Sequence, residues 1–118
     1  MPKIVIAEDD EVMRTMIRMK CKREKFEVEA FPSGQEAKDY LEKEPADLVV
    51  TDLMMPFFSG LELVGFIRNE LKSNVPIIVL SSAGQEDNVT QAFEMGVTDF
   101  MTKPFSPKEL IMRIKRHV

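Results

Sequence analysis

The chain has 118 residues, 44% of them hydrophobic and 31% charged, enough apolar material for one core and too little length for a second domain. Its formal net charge of −4, with Lys and Arg interspersed among acids, argues against direct nucleic-acid binding by this segment and against general attraction to an anionic membrane. The single cysteine, Cys21, excludes an internal disulfide and a cysteine-based metal cluster; with no apolar run as long as a membrane span or signal peptide, a cytoplasmic setting is expected.

In chain order, strand-like and helix-like segments alternate. Strands are predicted near 3–7, 27–31, 47–51, 76–81 and 98–102, and helices near 11–23, 34–43, 60–71, 86–95 and 106–117. In the first helix Met13, Met16 and Ile17 have core spacing. Val12 and Met19 at the margin of that stripe are read as core or partly buried, the alternative being a surface on which a partner helix docks. Val64, Ile67 and Leu71 form an apolar stripe in the third helix, and Leu110, Ile111 and Ile114 do so in the fifth. Ser33-Gly34, Ser59-Gly60 and Ser106-Pro107 with Glu109 open helices, and Gly96 follows the fourth. His117, near the end, is read as a solvated side chain.

Five such units predict an α/β fold: a doubly wound (βα)5 sandwich around a parallel sheet, filling residues 1–118 as one domain. The first, third and fourth strands are continuous apolar runs, as strands covered on both faces should be. Each of four runs stops at a residue suited to phosphate chemistry. Ile4-Val5-Ile6-Ala7 runs into Glu8-Asp9-Asp10, Leu48-Val49-Val50-Thr51 into Asp52, Ile77-Ile78-Val79-Leu80 into Ser81, and Phe100-Met101-Thr102 into Lys103-Pro104. In a parallel sheet these stops gather at the carboxyl edge, where such folds bind ligands.

Glu8, Asp9 and Asp52 would crowd three negative charges together, which demands a cation or protons. A hard divalent ion suits oxygen donors, and Mg2+ is preferred because it takes few carboxylates and shares its octahedron with phosphate oxygens. Lys103 adds a flexible positive charge and Ser81 a hydroxyl donor, a set suited to phosphoryl transfer. Asp52, alone at its strand end, is the candidate nucleophile, with Glu8 and Asp9 better placed to hold metal.

With these residues in view, the chain resembles the receiver domain of two-component response regulators over essentially its whole length. The resemblance rests on Ile6-Ala7-Glu8-Asp9-Asp10, Asp52-Leu53-Met54-Met55-Pro56 with Gly60, Pro76 through Ala83, and Lys103-Pro104-Phe105. It implies a flavodoxin-like five-stranded sheet in the order 2-1-3-4-5. It further implies that Asp52 is phosphorylated, that Glu8, Asp9, Asp52 and the backbone carbonyl of Met54 bind Mg2+, and that Asp10 lies outside the pair at the start of the first helix. Ser81 and Phe100 match the switch residues, Lys103 the ion-pairing partner of the phosphoryl group, and Lys103-Pro104 a cis peptide bond.

The implied function is that of a regulatory phosphoacceptor, catalysing only its own phosphorylation and dephosphorylation. A histidine kinase or histidine phosphotransfer protein supplies the phosphoryl group, and the surface of the fourth helix, fifth strand and fifth helix responds. Phe100 stands where the family often has tyrosine, so an inward ring would leave no hydroxyl to satisfy, and the ring is expected inward even before phosphorylation. Met54 and Ala83 supply no water-orienting group, which implies slow loss of the phosphoryl group. The last third, Thr102 to Leu110, resembles receivers of OmpR/PhoB-type regulators, which often form homodimers through that same surface. Asp99, Glu109, Arg113 and Lys115 supply charges for such a face, although Val89 and Thr98 stand where that subfamily commonly carries charged partners. The chain is either a stand-alone receiver or the front of a longer regulator. A magnesium-dependent aspartyl-phosphate phosphatase would need a second acid where Met54 stands, and a flavin-binding domain a phosphate loop where the acids Glu8-Asp9-Asp10 stand.

Overall fold

The computed structural model describes residues 1–118. Five parallel strands, β1 (Lys3–Ala7), β2 (Glu27–Phe31), β3 (Leu48–Asp52), β4 (Ile77–Ser81) and β5 (Asp99–Thr102), form one sheet in the order β2-β1-β3-β4-β5. The helices are α1 (Glu11–Arg23), α2 (Gly34–Lys43), α3 (Gly60–Gly65), α4 (Glu86–Glu94) and α5 (Pro107–His117). The expected flavodoxin-like order is therefore observed, and strand limits agree with the sequence reading to within a residue. Nearly every residue of the central strands β1, β3 and β4 is buried, whereas β2 and β5, at the sheet edges, are only partly covered.

Alternation along the strands sends side chains to two cores. Val5, Val49, Ile77 and Val79 pack with Leu63, Val64 and Ile67 on one face. Ile4, Ile6, Leu48, Ile78 and Leu80 pack with Ile17, Cys21, Leu110 and Ile114 on the other. The second face also corrects the reading of α1. Val12 is 80% exposed and Met19 50% exposed. At about 100° per residue, Met13 and Cys21 stay within about 40° of the buried Ile17, while Val12 and Met19 are carried far round the helix.

The third helix departs from the expected single run over 60–71. After Gly65 it widens into a π-helical turn, Phe66–Glu70, in which the amide of Leu71 donates to the carbonyl of Phe66 at 3.0 Å. Adjacent Phe66 and Ile67 are both buried there. Arg68 then fastens the turn, donating to the carbonyls of Gly96 at 3.0 Å and Ser73 at 2.8 Å.

Side chains cap four of the helices: Asp10 on α1, Ser33 on α2, Ser59 on α3 and Ser106 on α5, with Ser59 and Glu62 completing a capping box. No side chain caps α4.

Gly60 ties α3 to the end of β3. A Cβ at this position would lie 2.0 Å from the backbone oxygen of Asp52, and the Gly60 amide donates to the Leu53 carbonyl at 2.9 Å. Gly60→Ala is expected to cost about 3 kcal/mol, the upper part of the usual overpacking range, because backbone rather than a flexible side chain must move. Urea unfolding should show the lowered midpoint, and an unchanged one would remove this constraint.

Candidate functional site

The register β1-β3-β4-β5 brings the ends of four strands side by side, as the four stops required. Glu8 follows β1 and is fully buried; Asp9 beside it is exposed. Asp52 ends β3 and Ser81 ends β4, only 7% and 2% exposed. Lys103 follows β5, and its backbone amide donates to the carbonyl of Ser81 at 2.6 Å. The Lys103-Pro104 peptide is cis.

A carboxylate oxygen from each of Glu8, Asp9 and Asp52 lies within 4.8 Å of the others. Lys103 bridges two of these groups, its Nζ 2.8 Å from Glu8 Oε1 and 3.4 Å from Asp52 Oδ2. Burial, reinforced by the neighbouring Glu8 and Asp9 charges, pushes Asp52 up to about 7 against the opposing pull of Lys103. At Lys103 burial works against the charge, but its bonds to Glu8 and Asp52 prevail and its pKa is raised. One lysine thus fails to neutralise the pocket. An all-oxygen cluster with one solvent-facing member suits a hard divalent ion.

Asp10 takes the peripheral place expected for it, its Oδ1 accepting from the amides of Val12 and Met13 at 2.9 and 3.2 Å. The Asp10 amide donates to Glu8 Oε2 at 3.1 Å. Arg14 was not singled out from the sequence as a site residue, yet its Nη1 donates to the carbonyl of Glu8 at 2.9 Å. An arginine one turn into the helix that follows the acids was the available signal.

The loop after β3 has a second unforeseen feature. The amide of Phe58 donates to the carbonyl of Pro56 at 2.8 Å across Phe57, which has φ 68° and is fully exposed. This γ-turn places an L side chain in the left-handed region, and no glycine or asparagine marks it in the sequence. Met54, in the same loop, is 44% exposed, while Leu53 and Met55 are buried.

Three expectations on the β5 side are corrected. The Phe100 ring is not inward; it is 36% exposed and stacks edge-on against Phe93, centroids 5.6 Å apart. Beside it lies a cavity of about 240 Å3 lined in part by Ser81, Ala83, Val89 and Thr102. His117 is partly buried, with Nε2 3.8 Å from Asp99 Oδ2, rather than freely solvated. The charges read as available to a partner are engaged within the chain: Arg113 with Asp99 at 2.8 Å and Glu109 at 3.5 Å, and Lys115 with Glu24 at 2.5 Å.

Comparison with known proteins agrees with this geometry. Residues 4–115 match the response regulator receiver domain family. The chain is 38% identical over 113 residues to the transcriptional regulatory protein ResD of Bacillus subtilis and 34% identical to SrrA of Staphylococcus aureus. Each match covers 96% of this chain and 46% of the relative, so the chain spans about half the length of these curated relatives. Among solved structures, a Francisella response regulator 1452 receiver domain superposes with a TM-score of 0.89 at 31% identity, covering 98% of this chain and 95% of that one. The Vibrio cholerae chemotaxis protein CheY4 gives 0.92 at 26% identity, covering 100% and 99%. The chain belongs to the response-regulator receiver family, and its function is that of a phosphoacceptor in two-component signalling.

The crowded carboxylates also predict a pH signature. Asp52 holds its proton more tightly folded, near 7, than unfolded, near 3.8, so its ionisation begins to oppose folding above about pH 4 and does so fully above about pH 7. With divalent ions chelated, Asp52→Asn should therefore be more stable than the unsubstituted protein by about 2–4 kcal/mol at pH 8. The two should converge near pH 4 in urea titrations, and parallel stability curves would refute the origin assigned to the shift.

Proposed function

We propose that Asp52 is the phosphorylated residue, in a pocket where Glu8, Asp9, Asp52 and the backbone carbonyl of Met54 hold Mg2+. The observation carrying this reading is the cluster itself: three carboxylates within 4.8 Å, incompletely neutralised by Lys103 and open to solvent at Asp9. Bound there, the ion would neutralise carboxylate charge and share that of the incoming phosphoryl oxygens.

The protein's own residues do the rest. An Asp52 carboxylate oxygen attacks the phosphorus of a phosphohistidine on a histidine kinase or histidine phosphotransfer protein; the P–N bond breaks, a P–O bond forms and the imidazole leaves with the electron pair. Lys103, kept protonated by its acidic neighbours, pairs with a phosphoryl oxygen, and the Ser81 hydroxyl donates to another. The same residues act only on this chain's own acyl phosphate, so the domain is a regulatory phosphoacceptor that catalyses its own phosphorylation and dephosphorylation. The setting is cytoplasmic; no helix is long and apolar enough to cross a membrane.

The phosphodonor docks on α1, where the exposed Val12 and Met19 and the partly buried Met16 line an apolar groove of about 430 Å3 edged by Glu11, Lys20 and Arg23. The readout face is α4-β5-α5. Movement of Ser81 toward the phosphoryl group draws Phe100 from Phe93 into the neighbouring cavity. That face, with Phe100 withdrawn and Phe93 left exposed, forms a homodimer, and direct nucleic-acid contact by residues 1–118 plays no part.

Incubation with Mg2+ and acetyl phosphate should add one phosphoryl group, seen by intact-mass spectrometry. Asp52→Asn should abolish the adduct, and Asp9→Asn should raise the Mg2+ concentration needed; an adduct persisting in Asp52→Asn would remove Asp52 from its role. Sedimentation velocity should show a dimer only with beryllofluoride and Mg2+, and a monomer under both conditions would exclude the dimer.

A further inference from the structure

Glu8 is held at every polar position. Its amide donates to the carbonyl of Phe31 at 3.0 Å, Oε1 accepts from Lys103 at 2.8 Å and Oε2 from the Asp10 amide at 3.1 Å. Its backbone carbonyl accepts from Arg14 at 2.9 Å. Since Glu8 is fully buried, that carbonyl has no ready substitute in bulk water. Arg14 is itself partly buried and forms no ion pair with a carboxylate, although acids surround the end of β1.

A guanidinium that bonds a neutral carbonyl in an acid-rich corner is placed to fix backbone. The β1–α1 connection carries Glu8 and Asp9 in succession, with Asp10 already committed to the helix cap. The Arg14 bond is the point at which α1 reaches back across this connection and grips the residue just after the strand.

We infer that Arg14 is a positioning residue, which fixes the β1–α1 connection so that Glu8 and Asp9 present their carboxylates to a divalent cation together with Asp52. The inference rests on the magnesium reading of that pocket. It runs against simple charge counting. A positive group beside an acidic pocket repels a cation, so by Coulomb interaction alone its removal tightens metal binding. If Arg14 positions the ligands, its removal weakens binding instead, as loss of an outer-shell partner does. The sign of the change therefore separates the two roles, and recovery of phosphoryl labelling at saturating MgCl2 separates weakened binding from a general loss of fold.

The test is calorimetric titration of the full chain with MgCl2 at pH 7.5, comparing the unsubstituted protein with Arg14→Ala, Arg14→Lys and Arg18→Ala, an exposed position on the same helix. Arg14→Ala should weaken Mg2+ binding about tenfold, the lower end of the outer-shell range. Arg14→Lys, which keeps the charge and a donor, should recover most of the loss, and Arg18→Ala should bind like the unsubstituted chain. In acetyl phosphate labelling, the Arg14→Ala defect should shrink as MgCl2 is raised to saturation. Unchanged or tighter binding in Arg14→Ala, or equal weakening in Arg18→Ala, overturns the positioning role while leaving the pocket intact. Absence of any Mg2+ binding in the unsubstituted chain overturns the metal site and this inference together.

Discussion

The repulsion among Glu8, Asp9 and Asp52 is the constraint around which the rest of this domain is arranged. A parallel sheet with β1 beside β3 puts the ends of these strands next to each other, and their terminal acids with them. Lys103 arrives from the far side of β4 and bridges Glu8 and Asp52, but burial, with the neighbouring Glu8 and Asp9 charges, still pushes the Asp52 carboxyl up to about 7. The site is held short of neutrality, and the cation binding and phosphoryl chemistry proposed for it would both draw on that deficit.

The scaffold resists this stress on one side and yields on the other. β1, β3 and β4 are buried between two cores, Gly60 presses α3 against the Asp52 backbone, and Glu8 is bonded through every polar group it has. Toward β5 the restraints thin out. Among its helical residues α4 buries only Ala92, its first turn lacks a side-chain cap, and the Gln85 side chain is spent on the Ser82 amide at 2.7 Å. The exposed Phe93 and Phe100 lie at this loosely held end, next to a cavity that one of them could fill. Elements with few buried contacts have low local stability, so α4 and β5 are held less firmly than β1 and β3.

Much of the fold was legible in the residues because its signals are local. Apolar runs of strand length, Ser33, Ser59 and Ser106 before helices, and Gly96 at φ 101° after α4 each act through neighbours in the chain. The gathering of Glu8, Asp9, Asp52, Ser81 and Lys103 followed from one further rule, that parallel strands deliver their carboxyl ends to one edge. Errors began where a side chain had to choose among distant neighbours. Val12 and Met19 have core-like chemistry but face away from the sheet, His117 meets Asp99, and Lys115 turns to Glu24.

Local chemistry by itself thus determined the element order, the caps and the identity of the groups at the sheet edge, because hydrophobic period and backbone preference depend on adjacent residues. Only the tertiary structure decided the charge balance of the pocket, the outward Phe100 ring, the strained turn at Phe57 and the grip of Arg14 on Glu8. Those depend on burial and on distances between residues far apart in sequence or in different elements, and burial sets how strongly each charge and hydrogen bond counts.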